Sequence, residues 1–378
     1  MAPPAHPPPE HPPPEDPLPE HPLPSPSPRA WRQVEAAPRA ALEEGLTPAD
    51  LQAVLLDIAR RRAARMTPAR LMRRWQEDRY VTPAAADPRQ VSRVEARLWQ
   101  LLPAEFAGIE LSPVTPLGTC TAVAPGSQDR VISTVRGTEV VSDPTNVLAL
   151  VAAARRRQQS QRKTSPVHLA ACHTVLRAQP FDAPGLFQHF RLFALLTSAR
   201  DSGSAATEAA MLVTHLRFWT AALADLIRGP RGPRGSRGPR GIPGRCATVS
   251  YTVFGSPPLA ERIADTVLPA LEPLPPAITV SEDPDRQHGR GYYERGAIKI
   301  YVDGQEIGDG GFTDWTAQLT SDAKERCFTS CLSTERLAAL TREDARDAGT
   351  PDAGRRLAPP AGGQRKAGQA LGQPPAEA

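Results

Sequence analysis

The sequence predicts an α+β protein built on one sizeable core, and three observations point there. Apolar residues recur at helical spacing through residues 29–104, the texture changes to short β-type runs across 105–345, and both ends are too rich in proline and glycine to bury a core. The 378 residues include 43 Pro and 27 Gly, unevenly spread, while the middle carries enough Leu, Val, Ala and aromatics for a single large core. With 45 basic and 41 acidic residues the formal charge is +4, so polyanion binding is a local question.

Residues 1–28 hold 14 prolines in near-pentads (PPPEH, PPPED, PLPEH, PLPSP). Fixed φ angles and missing donors predict an extended, coreless arm. Such an arm could dock an aromatic groove, but a solvated tail is the simpler reading. In the helical region 29–104, Thr47-Pro48, Thr67-Pro68 and Asp87-Pro88 each place a capping side chain before a proline at the first helical position. Leu51, Val54, Leu55 and Ile58 follow the first start, Leu71, Met72 and Trp75 the second, and Val91, Val94, Leu98 and Leu101 the third. Arg60, Arg61, Arg62, Arg65, Arg70, Arg73 and Arg74 form a basic stripe. It could neutralise phosphates weakly, although a solvated helix face explains it equally.

From residue 105, Val131–Val135 and Glu139–Val141 suit strands. Asp143-Pro144-Thr145-Asn146 predicts a helix start leading into Val147–Arg157, whose terminal Arg155, Arg156 and Arg157 complement the helix dipole. Residues 229–244 interrupt the core with Gly at every third position, the collagen period. So few triplets inside a globular chain predict an extended basic insertion, with a trimerising stalk as the alternative. The tail, 346–378, is expected to be disordered.

Cys120, Cys172, Cys246, Cys327 and Cys331 show no CxxC pair and no metal spacing, which suits reduced thiols in a cytoplasmic protein. No apolar run approaches the roughly 18 residues of a membrane span, and the proline-rich start does not resemble a signal peptide. His168, His173, His189 and His215 lack partners at catalytic spacing and read as packed or surface histidines. There is no GxSxG, HExxH or Walker loop.

The richest segment is 288–337. Tyr292 and Tyr293 precede an alternating strand of Ile298, Ile300 and Val302, Asp303-Gly304 is a tight hairpin turn, and Gly308-Asp309-Gly310-Gly311 offer backbone that a ligand can approach closely. A last strand, Phe328–Leu332, feeds Glu335-Arg336-Leu337 at a helix start. An aromatic pair, a glycine strand and a terminal Arg suit a small-molecule pocket.

That order resembles the histidyl-tRNA synthetase family: a double tyrosine, a glycine strand, then the third class II motif ending in Glu-Arg. Upstream, Val175-Leu176-Arg177 and Phe187-Gln188-His189-Phe190-Arg191 resemble the second motif, and Leu111-Ser112-Pro113 the first. Asp201-Ser202-Gly203 and the helix from Glu208 take the place of the family's helix after motif two. The resemblance covers 105–228 and 246–340. It implies an antiparallel six- to seven-stranded class II synthetase-type sheet flanked by helices, and a homodimer. It also implies that Tyr292, Tyr293, Gly308, Gly310 and Gly311 bind an amino acid, that Arg177, Phe190, Glu335 and Arg336 bind ATP, and that Arg177 and Arg336 act catalytically on phosphates with Mg²⁺.

The chain also departs from that pattern. Three third-motif glycines, which let adenine lie against the strand, are Thr329, Cys331 and Ser333. The Arg before the double tyrosine falls on His288, or on Arg290 through a gap. The second-motif Glu is Gln179. The carboxylate that holds the substrate amino group is missing, with Asp143 or Glu139 as substitutes. About 38 residues follow Leu340, too few for an anticodon-binding domain. Two expectations result. One is a synthetase-like paralogue that binds a small amino-acid-like molecule. The other is an ATP-dependent ligase forming an acyl-adenylate, with ATP and Mg²⁺ as cofactors only in that case.

Overall fold

The computed structural model describes residues 28–124, 126–159, 165–179, 187–228 and 245–340. The expectations for the insertion, the tail and all but the last residue of the proline arm lie outside the described residues, as does the unit Glu343–Ala378 into which the chain divides. Five helices lead: α1 (Pro28–Trp31), α2 (Ala36–Ala40), α3 (Pro48–Ala63), α4 (Pro68–Glu77) and α5 (Pro88–Leu101). Next come β1 (Phe106–Gly108), β2 (Val114–Pro116), α6 (Thr119–Val123), β3 (Thr138–Val140), α7 (Pro144–Gln158), β4 (Val167–Leu176), β5 (His189–Arg200) and α8 (Ala206–Arg228). The remainder is β6 (Ala247–Val253), α9 (Pro257–Arg262), α10 (Leu268–Leu271), β7 (Ile278–Glu282), β8 (Glu294–Val302), β9 (Gln305–Thr313), α11 (Trp315–Thr320), β10 (Glu325–Ser333) and α12 (Thr334–Leu340).

The cap-proline pairs start helices as expected. Thr47 accepts from the Asp50 amide, Thr67 from Arg70, Asp87 from Arg89 and Asp143 from Thr145, each satisfying an otherwise orphaned donor. Burial then separates them. Helix α5 buries Val91, Val94 and Leu98 and packs against α8 and α12, so the core begins before residue 105. Helices α3 and α4 bury nothing, and Val54, Ile58, Leu71, Met72 and Trp75 stay exposed.

The main sheet has eight strands in the order β1-β4-β5-β10-β9-β8-β6-β7. The interior pairs are antiparallel, while the edge strands β1 and β7 pair in parallel with β4 and β6. These short edges raise the count above the expected six to seven. Val131–Val135 forms no regular strand. Only Ser133 bridges Glu139, and the regular pairing there is β2 with β3. Leu111-Ser112-Pro113 is a loop rather than a strand, with Leu111 buried.

Side-chain alternation gives the sheet two apolar faces. Phe193, Leu195, Ile298, Ile300, Phe328 and Leu332 meet α5 and α8 on one. Leu192, Ala194, Leu196, Cys327 and Cys331 meet α7 and Trp315 of α11 on the other, against which Tyr292 of the candidate site packs. Helix α8 is long and apolar enough to cross a membrane by length and composition, contrary to the sequence expectation, but 61% of that window is buried inside the protein. It is the core helix, presenting Leu212, Leu216, Trp219 and Leu223.

Two buried polar groups tie these layers together. Arg156 of α7 forms a bidentate pair with Glu325 of β10, at 2.9 and 2.7 Å, with both side chains 6% exposed or less. Of the arginine triplet read as dipole complement, Arg156 is therefore a buried ion-pair partner, and Arg157 donates to the Leu319 carbonyl. On the other face His215 is fully buried, 2.9 Å from Thr197 Oγ1 and 2.7 Å from Ser330 Oγ, which also accepts from Trp219 Nε1 at 2.8 Å. His215 is a packed histidine, as its sequence context suggests.

Candidate ligand-binding site

Strand register decides what β9 can offer a ligand. Gly308 pairs with Ile300 and Leu332, and Gly310 with Ile298 and Ser330, so these glycines point to the α8 face. Asp309 pairs with Lys299 and Cys331, and Gly311 with Ala297 and Thr329, on the site face. Of the glycine floor expected from the sequence, only Gly311 shares the face of the tyrosine pair. A Cβ on Gly308 would lie 2.2 Å from the Cys331 carbonyl oxygen, and one on Gly310 2.4 Å from that of Thr329. Both glycines let β9 and β10 approach closely. Gly311 faces the site, but a Cβ there would lie 2.5 Å from the Tyr293 ring. The absent side chain at Gly311 leaves room for the tyrosine ring.

Gly289 makes the turn that delivers the tyrosine pair. It sits at φ +84°, a left-handed conformation that suits glycine, and its carbonyl accepts from the Tyr293 amide at 2.7 Å. Tyr292 and Tyr293 meet edge to face at 4.9 Å, and Tyr292 meets Trp315 in the same manner at 5.7 Å. Tyr293 is buried, whereas Tyr292 keeps part of its surface open. Burial raises both phenols well above their ordinary range, so both remain neutral donors.

The Tyr293 hydroxyl donates to Asp309 Oδ2 at 3.0 Å, and Cys331 Sγ lies 3.6 Å from Oδ1. Burial raises the Asp309 carboxyl, and the charges of Asp143 and Glu306 push it further the same way. Burial likewise raises the Cys331 thiol.

The opposite wall comes from the start of α7 and the end of β4. Asp143 caps α7 through Oδ1, which accepts from the Thr145 amide at 2.9 Å and its hydroxyl at 2.7 Å. Its Oδ2 faces Arg177 Nη2 at 3.8 Å. Arg177 donates Nε to the Ser142 carbonyl at 3.0 Å and stacks 5.1 Å over Phe190, joining two residues of the second-motif match. Asp143 and Arg177 both stay partly exposed. Glu139 is 1% exposed, and its oxygens accept from the amides of Gly118 and Cys120 and from Gln128. With these donors Glu139 fastens its own loop, which leaves Asp143 as the carboxylate open to a ligand.

Arg336 donates Nη1 to the Glu306 carbonyl at 2.9 Å, at the start of β9. Glu335 is drawn elsewhere: burial raises its carboxyl, while the charges of His189 and Arg191 act the opposite way. Thr329, Cys331 and Ser333 all lie on the site face, each 9% exposed or less. Their side chains occupy the strand surface that glycines would leave free.

Arg286 was not found by sequence reasoning. It is 6% exposed, donates Nε to the His288 carbonyl at 2.9 Å and lies 5.9 Å from the Tyr293 ring centre. His288 is exposed, and Arg290 stacks 4.9 Å over Phe254 instead. Nothing in the run Arg-Gln-His-Gly-Arg distinguishes its cations, since only the turn at Gly289 selects one. Asp309 had a readable signal: it shares strand parity with Gly311.

No protein-family model and no curated protein matches this sequence. Solved structures do. The chain is similar to apo histidyl-tRNA synthetase of S. aureus, at 14% identity and TM-score 0.44, over 68% of this chain and 66% of that one, just under two thirds of its length. It is also similar to an ATP phosphoribosyltransferase regulatory subunit/histidyl-tRNA synthetase from Bacillus halodurans, at 10% identity and TM-score 0.45, over 68% and 82% of the two chains. A threonyl-tRNA synthetase structure from Cryptosporidium parvum, described as an RNA binding domain, matches at 10% identity and TM-score 0.51, over 70% and 67%. The mostly antiparallel sheet flanked by helices, together with this last likeness, shows that the chain has a class II aminoacyl-tRNA synthetase-type fold.

Proposed function

We propose that this chain binds a small amino-acid-like ligand in the crevice between Tyr292, Asp309, Asp143 and Arg177, as a synthetase-like paralogue and not as a conventional tRNA-charging enzyme. One observation carries the reading. The neutral, half-open Tyr292 phenol lies within electrostatic reach of Asp309 and of the partly exposed Asp143–Arg177 pair. An ammonium group suits Asp143, a carboxylate suits Arg177, and a side chain gains from stacking on Tyr292. Binding of amino acids, followed by thermal shift or dialysis, tests this. Asp143→Asn and Arg177→Met should each weaken binding about tenfold or more, the loss expected for a charge-assisted hydrogen bond. Unchanged affinity in both variants contradicts the assignment.

ATP-dependent activation of that amino acid is the second reading, favoured by the presence of both Arg177 and Arg336. The adenine side fits poorly, because Thr329, Cys331 and Ser333 fill the strand surface and Arg336 is engaged by Glu306. Exchange of pyrophosphate into ATP, screened against amino acids, separates the two readings. On the first there is none. The exposed arginines of α3 and α4 support at most weak, salt-sensitive nucleic-acid binding. The five unpaired cysteines support a cytoplasmic setting, and a homodimer is the assembly the resemblance suggests.

A further inference from the structure

Helix α4 displays an apolar stripe that the described residues leave open. At helical spacing Leu71, Met72 and Trp75 fall on one side of it and Arg70, Arg73 and Arg74 on the other. All six are exposed, and neither α4 nor α3 buries a residue. Val54 and Ile58 of α3 are exposed as well. A helix of ten residues is marginal in water by itself, because most helical stability comes from packing an amphipathic face. Here the capping bonds at Thr47 and Thr67 are made while that packing is missing. The fold nevertheless moors the helix. Just past its end, Arg79 Nη2 and the Tyr80 hydroxyl donate to the Ala178 carbonyl at 2.6 and 3.3 Å, and His189 Nε2 lies 2.8 Å from the Thr82 carbonyl oxygen.

Charge narrows what can cover the stripe. From Ile58 to Gln76 the chain carries seven arginines and no acidic residue. Among the described residues only Arg61 of the seven has an ion-pair partner, Asp57 at 2.7 Å. A second copy of the chain would set like charges against one another. Nucleic acid offers phosphates but no apolar bed for Leu71 and Met72. An anionic lipid surface offers both, headgroup phosphates for the guanidinium groups and an acyl boundary for the apolar side chains and the indole.

We propose that α3 and α4 dock the protein on an anionic lipid bilayer. Helix α4 lies in the plane of the interface, with Leu71, Met72 and Trp75 below the headgroups and the arginines among them. The contact is peripheral and needs no spanning segment. It is independent of the amino-acid-binding reading above.

The test is co-sedimentation of the full chain with vesicles of equimolar phosphatidylcholine and phosphatidylglycerol, against vesicles of phosphatidylcholine alone. The anionic vesicles should bind the protein about tenfold or more tightly than the neutral ones. Leu71→Glu, which sets a carboxylate in the apolar stripe, and the combined Arg70→Gln, Arg73→Gln and Arg74→Gln variant should each weaken binding about tenfold or more. Both should keep the wild-type thermal transition, since these positions are exposed; if Leu71→Glu does not fold, the arginine variant and the two vesicle types decide. Equal binding to both vesicle types, or none, overturns the proposal. Full binding by folded Leu71→Glu shows adhesion by charge alone and overturns it too. Self-association that Leu71→Glu abolishes, without vesicle binding, gives the stripe to a second copy and overturns it as well.

Discussion

Gly311 and Tyr293 show how a single missing Cβ positions the site. With only 2.5 Å between that missing atom and the ring, Gly311→Val must expel Tyr293 and break its hydrogen bond to Asp309. We expect a loss of about 1–3 kcal/mol in stability, read as a lower urea midpoint. An unchanged midpoint would mean that the ring does not rest there. His215 makes a second residue-scale prediction. Burial lowers its pKa from 6.5 to about 3. Above pH 6.5 the ring is neutral whether folded or unfolded, so it adds no pH dependence. Between 6.5 and about 3 the unfolded chain takes up a proton that the native chain refuses, so stability falls as pH falls. The slope approaches about 1.4 kcal/mol per pH unit at most. Half-buried His168 is lowered in the same direction and steepens it. His215→Gln should flatten the acid limb, and an unaltered slope would show that the histidine is not the cause.

Helix α7 and strand β10 are joined by the Arg156–Glu325 pair. Removing one partner of a buried ion pair leaves the other charge stranded, so Arg156→Met should destabilise the chain by about 3–5 kcal/mol. The double variant with Glu325→Leu should recover much of that loss, as a double-mutant cycle would report. If the single variant were neutral, the two side chains would not be paired in solution. The same pair marks the limit of sequence reading. Helix starts at Thr47, Thr67, Asp87 and Asp143 were legible because a cap and its proline are adjacent in the chain. The hairpin at Asp303-Gly304 was legible for the same reason. Arg156 was not, because its partner lies 169 residues away and the local dipole explained the charge adequately. Along β9, composition correctly marked a special strand. Register, set by β8 and β10, turned Gly308 and Gly310 toward α8 and left Asp309 on the site face.

At the scale of the molecule, one face of the sheet is given to α5 and α8, and the other to α7, α11 and the tyrosine pair of the proposed site. Helices α3 and α4 bury nothing, and all seven stripe arginines from Arg60 to Arg74 face solvent. Any affinity they give for a single-stranded oligonucleotide should fall steeply between about 50 and 200 mM salt. Binding that survives high salt would call for a shaped nucleic-acid site that these helices do not explain. The crevice is the central claim, and calorimetry of the full chain with amino acids in the absence of ATP tests it most directly. The account predicts saturable, one-to-one binding of at least one amino acid, unchanged by Arg336→Ala and weakened about tenfold or more in Asp143→Asn. Heats indistinguishable from dilution for every amino acid, with the fold intact, would contradict it.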